Sequence, residues 1–505
     1  MLAQPRSLAL LLSLSLLTGC AVGPQYKRPE IPLSARFLGQ EGVERREAQS
    51  KADLQAWWAG FEDPALTRFV SLALEQNLDL AQAAARVAQS RASLRLAGAA
   101  LLPAGNVSAH GAKVYQSVET PLGRVLDATP DFDRTGSSYE VNVGASWEID
   151  LFGGLRRGRE AARAEYAASE AGAVATRLAV AAHTADVYVT IRSLQARIAI
   201  ASQQAQTRRQ LLALVKQLYG KGIAAELQVN QAEGSLAQVE AQIPVLEAGL
   251  DSAMNALDVL LGVQPGTHRA DLSRPMPVPV APGLADTGTP GELIRRRPDL
   301  IVAERRLAAA NARIGVAVAE YYPKFSLSAL LGSATTISSG NLFTSGANQA
   351  LGVLGLRWRL FDFGRVDAQI AAARGQEAEA LAAYRLAVLR ATEDVENAFS
   401  ALVKREAQVG ILTQGESSLA RARDHSDAAY RGGVVSLIEV LDADANLLQM
   451  RDAKAQAQTE AARAAIASFR ALGGGWDARR AGATAPIAPT ASLDTQIHAH
   501  PQSTR

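Results

Sequence analysis

The sequence repeats itself once, and this duplication limits the possible folds more than any other feature. The pattern Asp-Leu-x-x-Ala-x-x-Arg at residues 79–86 recurs 220 residues later at 299–306. Further along, the shift shortens to 211, and it then relates Trp147 to Trp358, Gly153 to Gly364, Tyr219 to Tyr430 and Gly222 to Gly433. A slip of nine residues between landmarks in the same order is typical of a duplicated unit with one shortened loop. We therefore expect two related halves rather than chance similarity between Ala-rich segments.

The N-terminus has the features of a signal peptide followed by a lipid-attachment cysteine. Residues 1–19 contain Arg6, a short apolar run over 8–17 and a Leu-Thr-Gly ending, and the run is too short to span a bilayer. Cys20, the only cysteine of the chain, follows directly. This pattern resembles a bacterial lipobox, so we expect Cys20 to carry a covalent lipid that anchors the mature N-terminus. The alternative is an incidental cysteine that leaves with the signal.

One very long helix is predicted in each half. Apolar or small residues recur at alternating steps of three and four over 180–219, interrupted once by Arg208, and again over 391–412, interrupted by Arg405. This spacing is a heptad pattern. A helix of about 66 residues is roughly 100 Å long at 1.5 Å per residue. Shorter helices are expected at about 78–100, 226–262, 298–320 and 437–472. Helices alone would also permit a soluble coiled-coil rod.

Alternation of polar and apolar residues predicts four strands, at about 104–118, 137–150, 322–333 and 348–361. The clearest alternation extends from Tyr139 to Asp150 and gives one apolar and one polar face. Such strands suit a thin bilayer, but four cannot close a membrane barrel, and open edges cannot face hydrocarbon. If the strands cross a membrane, several chains must therefore share one barrel. The alternative is two ordinary hairpins that cap a rod.

Several short motifs together indicate a family, and they extend over about residues 20–475. They are the lipobox Leu17–Cys20, Val22-Gly23-Pro24-x-Tyr26-x-Arg28-Pro29, Trp57-Trp58, Arg296-Arg297-Pro298-Asp299-Leu300-x-x-Ala303-Glu304, Tyr322-Pro323, Leu360-Phe361-Asp362-x-Gly364 and Leu441-Asp442-Ala443. This set resembles the TolC-like outer membrane factor family, specifically its NodT-type lipoprotein branch of efflux channels.

The resemblance implies an α+β membrane protein with an internal duplication. Three chains with four strands each would form a 12-stranded outer membrane β-barrel continuous with a long periplasmic α-helical barrel. The implied function is a passive, gated channel of a tripartite efflux system that exports drugs, toxic compounds or metals. The implied partners are two further copies, a periplasmic adaptor (membrane fusion) protein, an inner membrane pump of the resistance-nodulation-division type, and outer membrane lipid. A type I protein-secretion conduit and a non-conducting periplasmic lipoprotein scaffold are the alternatives.

The two helical turns, at 219–226 and 430–437, are the expected gating and adaptor-docking tips. Gly220, Gly222, Gly432 and Gly433 permit a tight backbone there. Glu439 and Asp442 lie one helical turn apart just beyond the second tip and share a face. In a symmetric oligomer they would form stacked acidic rings that favour cations, unless both are solvated on the outer face. Asp444 should point elsewhere and have no role.

The resemblance also implies roles for three neighbours of these acids. Ile438 takes the place of an apolar ring, and Tyr430 matches a tyrosine of a gate hydrogen-bond network. The acidic partner of that tyrosine is replaced by Gln228, and a gate arginine by Val435. We therefore expect a closed state that depends on apolar packing of Ile438 and Val435 and on a Tyr430–Gln228 hydrogen bond.

No pattern for catalysis or cofactor binding is present. The six histidines lack the spacing of a helical metal pair, and no nucleophile elbow, phosphate loop or dinucleotide fingerprint occurs. We expect no enzyme, no metal site and no cofactor besides the lipid on Cys20. Glu304, beside Arg305 and Arg306, is expected to form an ion pair on a helix face. A net charge of +2 gives no reason to expect a nucleic-acid partner.

The expected organisation divides the chain into six segments. They are a signal peptide at 1–19, a lipidated N-terminal segment at 20–62, a first repeat at 63–262, a Pro-rich linker at 263–288, a second repeat at 289–473 and a disordered tail at 474–505.

Overall fold

The computed structural model describes residues 21–46, 51–284 and 287–476. The expected signal peptide, Cys20 and nearly all of the predicted tail lie outside these residues. Two compact units can be distinguished. Unit 1 contains the described residues up to 29, together with 89–167 and 304–382, and unit 2 contains 30–88, 168–303 and the described residues from 383 on. Each unit therefore contains parts of both halves of the sequence.

The described residues form helices and strands along most of their length. In chain order they are α1 Gln40–Glu44, β1 Lys51–Ala52, a 3-10 helix Leu54–Phe61, α2 Pro64–Gln76, α3 Leu78–Ala99, β2 Ala104–Tyr115, α4 Pro121–Asp127, β3 Thr135–Ile149, α5 Gly154–Gly220, α6 Glu226–Glu240, α7 Gln242–Leu260, α8 Arg269–Leu272, β4 Gly283–Leu284, α9 Pro290–Arg296, α10 Pro298–Ala319, β5 Lys324–Thr335, a 3-10 turn Ser339–Asn341, β6 Asn348–Arg357, α11 Arg365–Arg431 and α12 Leu437–Ala471.

The internal duplication is confirmed in the strands and in the helices next to them, although the first half has α6 and α7 where the second has the single helix α12. Helices α3 and α10 both have 22 residues, and strands β2 and β5 both have 12. Each second copy begins 220 residues after the first. Helices α5 and α11 both have 67 residues and are related by the shift of 211. The change of shift falls in the strand-connecting loop, which is shorter at 336–347 than at 116–134.

Unit 1 is built on a four-stranded sheet of order β2-β3-β5-β6, in which every neighbouring pair is antiparallel. One face of this sheet carries exposed apolar side chains: Val107 lies opposite Val143, and Leu327 lies opposite Leu354. The alternation read from the sequence thus produces an apolar face that none of the described residues covers. Among the described residues, no helix combines the length and the apolar character needed to cross a membrane.

The residues directly after Cys20 are attached to unit 1 by hydrogen bonds. The backbone N–H of Val22 donates to the Phe152 carbonyl at 3.0 Å, and Arg157 Nε donates to the Val22 carbonyl at 3.0 Å. Further along, the Tyr26 hydroxyl donates to Glu304 at 2.6 Å. Glu304 is buried and also pairs with Arg305 at 2.9 Å and with Arg28 at 3.6 Å. Glu304 is therefore an ion-pair residue, as expected, and it additionally binds the N-terminal segment.

Unit 2 packs long helices around small and aromatic side chains. Trp57 stacks on Phe469 with ring centroids 5.5 Å apart, and both residues are buried. Asp63 caps α2 by accepting from the N–H groups of Ala65 and Leu66, and it accepts a 2.7 Å hydrogen bond from the Tyr188 hydroxyl. Burial and the neighbouring carboxylate raise the pKa of Tyr188 to about 12.

The Pro-rich connection between the halves has structure of its own in unit 2. It contains the short helix α8 and the strand β4, which pairs in parallel with β1. Arg192 of α5 donates to the carbonyl of Arg274 at 2.9 Å. The buried Asp258 accepts from the backbone of Gly266 and contacts the His268 ring, each at 2.7 Å. The connection is therefore packed against the helices rather than free of them.

Candidate functional site

The candidate site lies in unit 2, at the two turns that join α5 to α6 and α11 to α12. The two turns are built alike. Gly222 donates to the Tyr219 carbonyl at 2.8 Å and Gly433 to the Tyr430 carbonyl at 2.9 Å. Both glycines are left-handed, with φ of 72° and 73°, which is the usual way to end a helix. Space does not limit these positions, since a Cβ at either would meet nothing within 4 Å.

A small apolar cluster beneath the tips holds the two turns together. Val215, Ala232 and Leu437 are fully buried there, and Tyr430 packs against them. Burial raises the pKa of the Tyr430 hydroxyl. Tyr430 is therefore part of the packing of the tip.

The expected acidic pair lies on the exposed face of the first turns of α12. Glu439 and Asp442 are both exposed, and Ile438 beside them is 50% exposed. Leu437 and Val440 on the opposite side are buried in the unit. The structure therefore brings Ile438, Glu439 and Asp442 together on one surface. Val435 is half-buried next to this surface.

Gln228 has a different role from the one expected. Its side-chain oxygen accepts a 3.1 Å hydrogen bond from the backbone N–H of Ala225 at the start of α6, which is one half of a capping box. Among the described residues it forms no hydrogen bond with Tyr430. The reason is local: the backbone N–H of Ala225 lies just before α6, within reach of the glutamine side chain three residues later.

Asp444 was expected to have no role, and this expectation is wrong. Asp444 is buried and forms an ion pair at 3.2 Å with Arg208, which is buried as well. Gln204 also donates to Asp444, and Arg423 lies 3.7 Å from its other oxygen. Arg208 further donates to the Ser235 carbonyl at 3.0 Å. The Asp444 cluster, consisting of Gln204, Arg208, Arg423 and Asp444, therefore links α5, α11 and α12 and reaches α6.

The position of Asp444 follows from helix geometry. Two residues after Asp442 the side chain has turned by about 200°, which takes it from the exposed face into the packed one. The signal for its role was present in the sequence, because Arg208 interrupts an otherwise apolar seam. An arginine buried at a seam position is costly without a buried partner, and an acid is one that matches its charge.

The remaining expectations concern metal binding and the lipid on Cys20. Within the described residues, no three His, Cys, Asp or Glu side chains are grouped closely enough to hold a metal ion. Cys20 lies outside these residues, so the structure describes only the chain that follows it. The segment after Cys20 passes close to the start of α5, because a Cβ placed on Gly153 would lie 2.7 Å from Ala21.

Comparisons with known proteins agree with this architecture. The family model described as Outer membrane efflux protein matches residues 69–263 and 289–474, once in each half. The pyoverdine export outer membrane protein OpmQ of Pseudomonas putida is 33% identical over 94% of this chain and 98% of its own length. The outer membrane protein OprJ of Pseudomonas aeruginosa is 31% identical over 94% and 96%.

A further relative and a solved structure are similar over comparable lengths. Nodulation protein T of Rhizobium leguminosarum bv. trifolii is 29% identical over 92% of this chain and 96% of its own. The outer-membrane channel OprN is 32% identical and has a TM-score of 0.82, covering 90% of this chain and all of the solved one.

Proposed function

This chain belongs to the outer membrane efflux protein family and is an outer membrane efflux channel, and we propose that three copies form its passive, gated pore. The observation that carries this proposal is the four-stranded sheet, whose apolar face is exposed and whose edge strands β2 and β6 each have a single neighbour among the described strands. Unpaired backbone groups in hydrocarbon cost several kcal/mol each. Three copies would supply twelve strands, which is within the range of closed membrane barrels.

The tip surface of Ile438, Glu439 and Asp442 is the proposed selectivity ring at the periplasmic end. Three copies would place six carboxylates around one axis, below a ring of isoleucine side chains. Such rings favour cations and repel anions. The tip turns with Gly220, Gly222, Gly432 and Gly433 would dock the periplasmic adaptor, and an inner membrane pump of the resistance-nodulation-division type would deliver the substrate.

The lipid on Cys20 is proposed to anchor the chain in the outer membrane beside the sheet. Support comes from the next residues, since Val22 is hydrogen-bonded to Phe152, just after the end of β3. A lipid attached to Cys20 would therefore lie next to the start of the apolar face of the sheet. Each buried CH2 of the lipid contributes about 0.8 kcal/mol to membrane binding.

The exported compound is proposed to be a small molecule. The related OpmQ is named for pyoverdine export, and other relatives are named for solvent and toluene efflux pumps. We propose the same class of cargo, namely organic molecules small enough to pass through the channel. The pump would select these molecules before they reach the channel. A type I protein-secretion conduit and a non-conducting scaffold have no specific support in the site.

Ion selectivity of the purified protein in a planar bilayer tests the ring. The variant Glu439→Ala/Asp442→Ala should lose most of the cation preference of the wild type, because it removes all six carboxylates. The matched control Glu75→Ala/Asp79→Ala removes two exposed acids around the α2–α3 junction, far along the chain from the tips, and should keep the preference. Equal selectivity of all three proteins would exclude these acids from the pore.

A further inference from the structure

We propose that Lys324, Arg357 and Arg359 form a basic patch on the inner wall of the channel, and that this patch binds carboxylate or other anionic groups of the exported molecules. The inference rests on the proposed assembly of three copies and adds a chemical class of cargo to it. It begins with two like charges that the sheet places opposite each other.

Lys324 of β5 and Arg357 of β6 are directly opposed residues of the sheet. Such residues have Cβ atoms about 4.5–5.5 Å apart, and like charges in this arrangement destabilise a strand pair. Lys324 is partly neutralised by an ion pair with Glu320. Arg357 is exposed and has no ion pair among the described residues. The two cations therefore weaken the sheet, and an anion bound between them would relieve their repulsion.

The first hairpin shows that the fold does not require this pair. The shift of 220 relates Lys324 to Ala104, and the shift of 211 relates Arg357 to Ser146. Ala104 and Ser146 are also directly opposed. The equivalent place in the other half is thus filled by two small uncharged side chains, so the charges of the second half need another explanation than folding.

Arg359 extends the positive charge beyond the strand. It lies 3.2 Å from Glu320, the same carboxylate that pairs with Lys324. One carboxylate therefore faces three cations. In the first half the equivalent of Arg359 is an acid, Glu148, so the difference in charge between the two halves is largest at this place.

The acids of the neighbouring strand do not cancel the patch. Asp150, which follows β3, forms an ion pair with Arg156 at 3.3 Å. Glu148 lies opposite Ser326 of β5 and can balance one cation. With Glu148 and Glu320 both counted, the three cations of the basic patch still exceed the carboxylates.

The basic patch lies on the face of the sheet that the proposed barrel turns inward. Side chains alternate between the two faces along a strand. Lys324 is therefore on the opposite face from Leu327, and Arg357 is on the opposite face from Leu354. Leu327 and Leu354 are exposed apolar residues. Because membrane barrels have an apolar outer face and a polar interior, the patch would line the water-filled lumen.

The position along the strands places the patch at the entrance of the barrel. Lys324 is the first residue of β5 and follows α10 closely, and Arg357 is the last residue of β6, ahead of α11. The patch therefore lies at the end of the sheet from which the helices extend. Molecules that pass from the helical part of the proposed channel into the barrel would meet three copies of it.

The chemistry of the patch favours anions that are released again. Lysine and arginine donate charge-assisted hydrogen bonds to carboxylate and phosphate groups. A wall lined by one sign of charge also raises the local concentration of the opposite charge. Conduction requires binding that is weak enough to permit exit, and exposed side chains on an open wall provide such binding. Small organic anions are therefore the expected cargo class.

Block of the ion current by citrate tests the patch in the full-length acylated protein. Trimers in a planar bilayer conduct potassium chloride, and citrate, a small tricarboxylate, is added on both sides at constant ionic strength. Citrate should reduce the wild-type current. The variant Lys324→Ala/Arg357→Ser introduces the uncharged pair that the first hairpin already contains. It should need about tenfold more citrate for half-maximal block.

Three further variants separate charge at the patch from other effects. Arg357→Ser removes no ion pair of the described residues, so it should fold and weaken the block in the same direction, by a smaller factor. Arg357→Lys keeps the charge and should keep the block. Lys113→Gln/Arg124→Gln removes two exposed cations in β2 and α4, away from the helical end of the sheet, and should also leave the block unchanged.

The outcomes distinguish the patch from the channel itself. Conducting trimers in which citrate blocks wild type, Lys324→Ala/Arg357→Ser and Arg357→Ser equally, or blocks none of them, would overturn the basic patch and leave the proposed channel standing. The first of these results is also expected if the cations bind lipid phosphates outside the lumen. An equally large loss of block in Lys113→Gln/Arg124→Gln would overturn the patch as well. A trimer that inserts without conducting would instead overturn the proposed function, and the patch with it.

Discussion

Arg208 Nε lies 3.2 Å from Asp444 Oδ2, and both side chains are almost completely buried. The pair connects α5 to α12 two residues beyond the exposed Asp442. A buried ion pair is weak evidence for stability, because apolar residues of similar size often serve as well. Its position near the tip fixes the rotation of α12 against α5, and this rotation determines where Glu439 and Asp442 point.

Removing one partner of this pair should be far more costly than removing both. Asp444→Ala leaves Arg208 buried without its carboxylate, so the free energy of unfolding should fall by about 3–5 kcal/mol. Arg208→Leu/Asp444→Leu should recover most of that loss. Thermal and denaturant unfolding followed by circular dichroism measures both effects. Asp442→Ala, on the exposed face, serves as control and should stay within about 0.5 kcal/mol of wild type. Equal losses for the three variants would contradict the buried pair.

The tip glycines should resist substitution because of their backbone conformation and not for lack of space. Gly222→Ala and Gly433→Ala force a side chain into the left-handed region, at a cost of about 1–2 kcal/mol each. Gly234→Ala offers a matched control, since Gly234 lies inside α6 with nothing near its Cβ position. That change should stabilise the helix by about 0.5–1 kcal/mol. Unfolding free energies that change in the same direction at all three positions would contradict this assignment.

Glu416 should make a pH-dependent contribution to stability. It lies 3.1 Å from Arg451 and 2.9 Å from Lys454 of α12. Burial alone would raise the pKa of its carboxyl, but the two cations outweigh that effect and hold the pKa below the ordinary value of 4.5.

A carboxyl whose pKa is lower in the folded state stabilises that state above the unfolded pKa and loses this contribution as pH falls through the folded pKa. The melting temperature of Glu416→Gln should therefore lie below that of the wild type at neutral pH, by the equivalent of at most about 1 kcal/mol. The two melting temperatures should converge below pH 4.5. A difference that is constant with pH would rule out the charge pairing.

Phe152 and Phe363 should differ in what they stabilise, although the duplication makes them equivalent. Phe152→Ala removes a stack within one chain and should destabilise the protein in any assembly state. Phe363 is exposed in one chain, so Phe363→Ala should mainly lower the temperature at which trimers dissociate on a gel. The test compares dissociation temperature with the helical unfolding temperature for each variant. Loss of helical stability in Phe363→Ala without any change in dissociation would contradict a subunit contact at Phe363.

The sequence was most informative where physical constraints repeat along the chain. Heptad spacing and alternation predicted the long helices and the four strands, and the two shifts related them correctly. Contacts that depend on which helix packs beside which were harder to predict. Asp444 was missed because its partner Arg208 lies 236 residues away. The bond formed by Gln228 was missed because its partner is the backbone N–H of Ala225, three residues earlier, which a comparison of side chains with the family does not reveal.

Conductance of the purified, acylated wild-type protein in a planar lipid bilayer tests the central claim most directly. An outer membrane efflux channel of three copies should insert as a trimer and conduct ions in discrete steps with a preference for cations. The conductance should need no nucleotide and no proton gradient, because the channel is passive. A trimeric, acylated protein that inserts into the bilayer and never conducts, even with Glu439→Ala/Asp442→Ala, would contradict the account.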